Sequence, residues 1–140
     1  MPFEDGIDRG GRSHRAVLIV EDSENSAATL EIAVMGIPDL SVLQARSGIE
    51  ALRILGRTDP AVDAIITDLN MPRMDGFEMI RRIREDSRLK ATPIIVVSAD
   101  TDPSTPERVA RLGVDAFFPK PYSPAQVRRK LEQVLNVTSQ

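Results

Sequence analysis

Four places along this chain carry side chains that could act together on one substrate. Asp68 follows the apolar run Ala64-Ile65-Ile66 and Thr67, and turn chemistry follows in Pro72 and Asp75-Gly76. That pattern puts the Asp68 carboxylate at the exit of a buried strand. Glu21-Asp22 directly follows a second apolar run, Ala16 to Val20. Ser98-Ala99-Asp100 closes a third, Pro93 to Ser98, and Lys120-Pro121 follows a short one, Ala116 to Phe118. If the first and third strands are neighbours, three carboxylates meet at one edge, and their repulsion calls for a hard cation held by oxygen ligands, Mg²⁺ or a similar ion. A hydroxyl and an ammonium are the groups that bind the oxygens of a tetrahedral anion seated on Asp68. Taken singly, Glu-Asp is a turn with a helix cap, Ser98 a cap and Lys120 a solvated cation. Their joint placement at strand ends is the signal.

The elements that must position these groups alternate along the chain. The runs ending at Val20, Thr67 and Ser98 are continuous and β-branched, as expected of strands buried on both faces of a parallel sheet. Ser41 to Ala45 and Ala116 to Phe118 are shorter or more mixed and read as edge strands. Between them, Ser47-Gly48-Ile49-Glu50, Asp75-Gly76-Phe77-Glu78 and Ser123-Pro124-Ala125-Gln126 each place a capping side chain three residues before Glu or Gln. Pro124 falls at the favoured first helical position. Apolar residues then recur at helical spacing, as in Ala51, Leu52 and Leu55, in Phe77, Ile80 and Ile83, and in Val127, Leu131 and Val134. Thr105-Pro106 opens a shorter helix that Gly113 stops. The order is βα repeated five times. Right-handed crossovers then favour an α/β doubly wound parallel sheet of strand order 2-1-3-4-5, with helices on both faces and ligands bound outside the carboxyl ends of the strands.

Length and composition narrow the classes. A chain of 140 residues is one domain with enough volume for a core. With no cysteine there is no disulfide framework or thiolate metal site, which fits a reducing compartment, and the cytoplasm is the expected location. The first apolar run is too short for a signal core or a membrane span. A net charge of -3 with 4% aromatic residues offers neither the electrostatic footprint nor the stacking platform of a nucleic-acid binder. The basic clusters Arg81-Arg82-Ile83-Arg84 and Arg128-Arg129-Lys130 read as solvated helix faces. Met1 to His14 reads as a flexible tail, residues 15–137 as the domain and 138–140 as a short C-terminal tail. His14, the only histidine, has no acid or second histidine at ligand spacing and reads as chemically idle.

From Arg15 to Val137 the sequence resembles the response-regulator receiver domains of two-component signalling, which have a flavodoxin-like (βα)5 fold. The residues that carry the resemblance are VLIVEDS (Val17 to Ser23), TDLNMPRMDG (Thr67 to Gly76), VVSAD (Val96 to Asp100) and FFPKPYSP (Phe117 to Pro124). The resemblance implies that Asp68 is the phosphoacceptor, and that Asp22, Asp68 and the backbone carbonyl of Asn70 bind Mg²⁺, with Mn²⁺ as a substitute. Glu21 would act through metal-bound water. Ser98 would be the switch hydroxyl, Lys120 the phosphate-binding lysine, Phe117 the aromatic switch residue, and Lys120-Pro121 a cis bond. Asn70 and Asp100, each two residues past a key position, would tune phosphoryl lifetime.

The implied partners are a sensor histidine kinase or histidine phosphotransfer protein upstream and a protein target downstream, with no direct nucleic-acid contact and no membrane insertion. The implied output is a change on the face made by the fourth helix, fifth strand and fifth helix, which is also the face of any dimer. Such a domain catalyses only its own phosphorylation and dephosphorylation. Either a stand-alone receiver or the receiver of a larger regulator or hybrid kinase fits. Ser98 stands where Thr is commoner, and Phe117 lacks the hydroxyl of a Tyr, which points to a looser switch or one that works through packing. A phosphatase with an Asp nucleophile would want a second acid at Asn70, which cannot donate a proton in that role. A flavin-binding relative would want a Gly- and Ser-rich loop where Glu21-Asp22 stands.

Overall fold

The computed structural model describes residues 14–57 and 61–137, so the expected tails lie, apart from His14, outside the described residues. The chain forms β1 (Arg15–Val20), α1 (Glu24–Val34), β2 (Leu40–Ala45), α2 (Gly48–Leu55), β3 (Ala64–Thr67), α3 (Gly76–Glu85), β4 (Ile94–Ser98), α4 (Thr105–Arg111), β5 (Ala116–Pro119) and α5 (Pro124–Leu135). All strand pairs are parallel, in the order 2-1-3-4-5. Pro93 lies just outside β4. It has no N–H to give the ladder, yet its carbonyl accepts from Ile65 N at 2.9 Å.

The three central strands are apolar throughout because both of their faces are covered. Leu18, Val20, Ile65, Ile94 and Val96 point into one core with Ala51 and Leu55 of α2, Met79, Ile80 and Ile83 of α3 and Val109 of α4. The alternate residues Val17, Ile19, Ile66, Ile95 and Val97 point into the other, with Leu30 and Val34 of α1 and Val127, Leu131 and Leu135 of α5. Each fully buried Val, Leu or Ile contributes roughly 1.5–3 kcal/mol, so a charge at any of these positions would break the domain. The edge strands β2 and β5 are mostly half-buried, as their mixed composition required. Among the described residues no helix is long and apolar enough to cross a membrane.

The helix starts obey their local chemistry. Ser47 Oγ accepts from Glu50 N at 3.0 Å, Asp75 Oδ1 from Glu78 N at 2.9 Å, and Ser123 Oγ from Gln126 N at 3.3 Å. The return half of the first two capping boxes is not made at its usual place. Glu50 Oε1 accepts instead from Arg46 N, one residue earlier, and Glu78 is taken by Arg81 and Arg82. α1 is capped by Ser23, whose Oγ accepts from Ser26 N at 3.3 Å. Gly113, at φ +77, ends the α4 segment in a conformation that glycine adopts without strain.

The reading of Arg81-Arg82-Ile83-Arg84 as a solvated face holds for the first two arginines and fails for the last. Arg84 is half-buried, and Nε donates to Leu112 O (3.1 Å), Nη2 to Gly113 O (2.8 Å), and Nη1 to Lys90 O (3.1 Å) and Thr92 O (2.8 Å). The physical reason is that two loops end beside α3 with carbonyls facing inward, and only a guanidinium presents enough donors in a plane to meet them. His14 lies at the surface with Nε2 2.6 Å from Ser41 Oγ, far from the strand exits considered next.

Candidate functional site

Strand register sets the site. Val20 stands opposite Thr67, Thr67 opposite Val96, and Ser98 opposite Pro119. The next residues along β1, β3 and β5, namely Glu21, Asp68 and Lys120, therefore leave the sheet at one edge. Lys120 Nζ donates to Asp68 Oδ2 at 2.9 Å and to Glu21 Oε2 at 3.2 Å. Both carboxylates are buried, with Glu21 2% and Asp68 6% exposed.

Each partner is held by its own loop. Asp68 Oδ1 accepts from Leu69 N at 2.6 Å and Asn70 N at 3.2 Å, which leaves Oδ2 to the lysine. Gly76 packs the start of α3 onto the same backbone, since a Cβ there would lie 2.7 Å from Asp68 O and Leu69 Cα. Glu21 Oε1 accepts from Ser23 N at 3.1 Å. Lys120 N donates to Ser98 O at 2.8 Å, and the Lys120-Pro121 peptide is cis, as expected.

Burial pushes the Glu21 carboxyl up from 4.5 to about 7; the Asp68 charge pushes the same way, while the Ser23 N–H and Lys120 pull against it. Burial would lower the Lys120 ammonium, but the hydrogen bond and charge of Asp68, and then Glu21, hold it above its ordinary value.

Ser98 is fully buried at the adjacent strand end, and its Oγ accepts from Asp100 N at 3.0 Å. Asp100 Oδ1 in turn accepts from Asp102 N at 2.8 Å. Phe117 is half-buried and packs against the core that holds α3 and α4. Asn70 is exposed, and it is its N–H that touches Asp68. Asp22 is exposed at the mouth of the site. Of the three carboxylates expected at this edge, Glu21 and Asp68 are buried and bridged by Lys120, and Asp22 is exposed. The cause is local: Glu21 still follows the strand inward, whereas Asp22 already belongs to the turn into α1. Sequence reasoning gave no role to Ser23 or Leu69, whose N–H groups orient the two acids; backbone donors leave no mark in residue identity.

Among the described residues no group of three or more His, Cys, Asp or Glu side chains is gathered as a metal cage. The donor chemistry nevertheless suits Mg²⁺, which keeps several waters and takes one or two carboxylates together with phosphate oxygens. Two buried acids share one lysine, and the exposed residues Asp22 and Asn70 that follow them carry further oxygen donors. Beside Lys120 a cavity of about 270 Å³ lies between α1 and the loop after β5, lined by Asn25, Ser26, Thr29, Pro121 and Tyr122 among others.

Comparison with known proteins shows the family. The response regulator receiver domain model matches residues 17–132. The two-component response regulator ORR5 of Oryza sativa is 35% identical over 130 residues, covering 93% of this chain and 94% of its own. A chemotaxis protein CheY homolog of Campylobacter jejuni is 30% identical over 123 residues, covering 88% and 94%. Among solved structures, the chemotaxis response regulator CheY4 of Vibrio cholerae superposes with a TM-score of 0.74 at 31% identity over 88% of this chain and all of its own. A response regulator receiver protein from Pseudomonas putida gives 0.77 at 30% over 86% and 98%. With this edge geometry and a family match over most of its length, the chain belongs to the response regulator receiver domains.

Proposed function

We propose that this domain is a phosphorylation switch in which Asp68 takes a phosphoryl group from a phosphohistidine on a kinase or phosphotransfer protein. The observation that carries the reading is the pairing of Asp68 Oδ2 with Lys120 Nζ at 2.9 Å, while Oδ1 is fixed by Leu69 and Asn70 N–H groups. Oδ2 attacks phosphorus in line, a P–O bond forms, and the P–N bond to the donor imidazole breaks. The imidazole keeps the bonding electron pair and is protonated from solution. As charge moves outward from the carboxylate, Lys120 follows it onto a phosphoryl oxygen, so a preplaced cation meets the charge where it develops. Glu21, Asp22, Asp68 and the Asn70 carbonyl would hold Mg²⁺, which when bound neutralises equatorial oxygen charge. The open space beside Lys120 gives a donor protein room to approach.

The product is a labile mixed anhydride, suited to a reversible signal. Its output is a change on the α4-β5-α5 face, read by a protein target or by a second copy. Moving a two-state face from 1:99 to 99:1 takes about 5.5 kcal/mol of preference for one state. Ser98, one strand away and buried, would contribute through its hydroxyl, and Phe117 through its packing. Asn70 and Asp100 flank this chemistry and set phosphoryl lifetime; exchanging both should change the decay rate while Mg²⁺ affinity stays similar. Incubation with acetyl phosphate and Mg²⁺ followed by intact mass should show one added phosphoryl group, absent in Asp68→Asn. An unmodified wild-type mass, or equal modification of the variant, refutes the reading.

A further inference from the structure

The helix on the output side of the site is held very differently at its two ends. α4 has seven residues, of which only Thr105 and Val109 are buried. It is anchored by polar contacts more than by its own apolar surface. At its C-terminal end the carbonyls of Leu112 and Gly113 accept from Arg84, which also reaches Lys90 O and Thr92 O. Ends of helices leave carbonyls without partners, and an ionised planar donor makes bonds roughly twice as strong as a neutral one. One arginine thus ties the end of α4 to α3 and to the loop before β4. Arg108 adds a lateral contact, its guanidinium 3.9 Å from the centre of the Phe77 ring.

At the N-terminal end the ties are short and, beyond the one to buried Ser98, exposed. Ser98 Oγ accepts from Asp100 N (3.0 Å), Asp100 Oδ1 from Asp102 N (2.8 Å), and Asp102 Oδ1 from Ser104 N (2.9 Å) and Ser104 Oγ (2.8 Å). Thr105 N donates to Asp102 O at 3.1 Å. These links step two residues at a time from the switch hydroxyl to the first turn of α4. The first turn also holds a misfit: among the described residues the buried Thr105 Oγ1 has no hydrogen-bond partner. A buried hydroxyl left unpaired favours any second arrangement that satisfies it.

We infer that α4 pivots about a C-terminal end clamped by Arg84, and that the Ser98–Asp100–Asp102–Ser104 relay confines the signal to the N-terminal turn of the helix. This rests on the phosphorylation reading. When Ser98 Oγ turns to a phosphoryl group on Asp68, Asp100 N–H loses its acceptor and the relay loses its first link. Arg84, bonded to carbonyls at the other end, keeps that end in place. Asp102 and Arg84 are positioning residues and touch no reacting atom.

Peptide-level hydrogen exchange of the full chain, with and without acetyl phosphate and Mg²⁺ and with phosphoryl mass recorded on the same samples, tests this. In phosphorylated wild type, exchange should change in residues 100–106 and stay constant in 110–115. Asp102→Ala should bring residues 103–106 of the unmodified protein to the phosphorylated level. Arg84→Gln should speed exchange in 110–115 of the unmodified protein by about tenfold, one lost bond's worth or more, and should let the phosphorylation response spread along α4. Arg84→Lys, which keeps the charge but not the fork, should fall between and serves if the glutamine variant does not fold. A phosphorylated wild type whose exchange changes evenly across 100–115, or not at all, overturns the pivot. So does an Arg84→Gln protein that exchanges like wild type. Absence of phosphoryl mass instead defeats the phosphorylation reading, and the unmodified Arg84 variants then still judge the clamp.

Discussion

The exits of β3 and β4 lie side by side on the same sheet edge, yet they are held by opposite means. After β3, Asp68 is buried and fixed by two backbone N–H groups, by Lys120 and by the glycine that seats α3 against it. After β4, the loop is held by side-chain bonds of Asp100, Asp102 and Ser104 that lie largely in solvent. A bond buried in low dielectric resists rearrangement, whereas one exposed to water is exchanged for a water bond at little net cost. On the proposed reading, the difference separates a region that keeps its geometry through phosphoryl transfer from one that changes afterwards.

Perturbations of the β3 side should be the most damaging. Removing the cation with Lys120→Ala leaves two buried carboxylates facing each other. Its side chain is 22% exposed, so the loss should be roughly 3 kcal/mol, the low end for breaking a buried pair, measured by urea unfolding without divalent ions, and phosphoryl uptake should fall with it. Next comes the pH response of the metal-free protein. Glu21 binds its proton more tightly folded than unfolded, so its contribution is complete below pH 4.5 and is lost as pH rises to about 7. Stability of the protein in chelator should therefore fall across that window by on the order of 3 kcal/mol. Glu21→Gln should flatten the curve, and a slope unchanged by that variant would locate the effect elsewhere.

Smaller effects sharpen the contrast by their sign. Gly76→Ala pushes a methyl into the backbone of Asp68 and Leu69 and should cost about 1–3 kcal/mol, with slower uptake from acetyl phosphate. Thr105→Val, on the β4 side, removes a buried hydroxyl that has no partner among the described residues, and should stabilise by about 1 kcal/mol. A destabilised Thr105→Val protein would mean that the hydroxyl is satisfied after all, and the two exits would then be alike.

How much of this was legible in the sequence depended on whether the cause was local. Continuous apolar runs at Ala16 to Val20, Ala64 to Thr67 and Pro93 to Ser98 announced strands covered on both faces, and parallel order followed from the helices between them. Ser47, Asp75 and Ser123 act within three residues, and all three cap as their spacing required. Asp68 and Lys120 were placed by the strands they follow. The meeting of Lys120 with Glu21 spans 99 positions, and that Glu21 rather than Asp22 turns inward depends on where β1 gives way to its turn. The Arg84 fan was invisible for the same reason: its acceptors are carbonyls as far as 29 residues away, and every residue type has a carbonyl. Composition told which face of a helix was polar, but not that one polar side chain on it was spoken for.

The two edge strands of the sheet carry a consequence for the behaviour of this protein at high concentration. β5 is four residues long and ends in Pro119, which has no N–H to offer a neighbouring chain. β2 is six residues, Leu-Ser-Val-Leu-Gln-Ala, with no proline, lysine or bulge along it. Among the described residues no strand pairs with the outer edge of β2, and an unpaired strand edge is a template for another strand. The β2 edge, at the opposite end of the sheet from β5, is therefore where self-association into β-rich aggregates would begin.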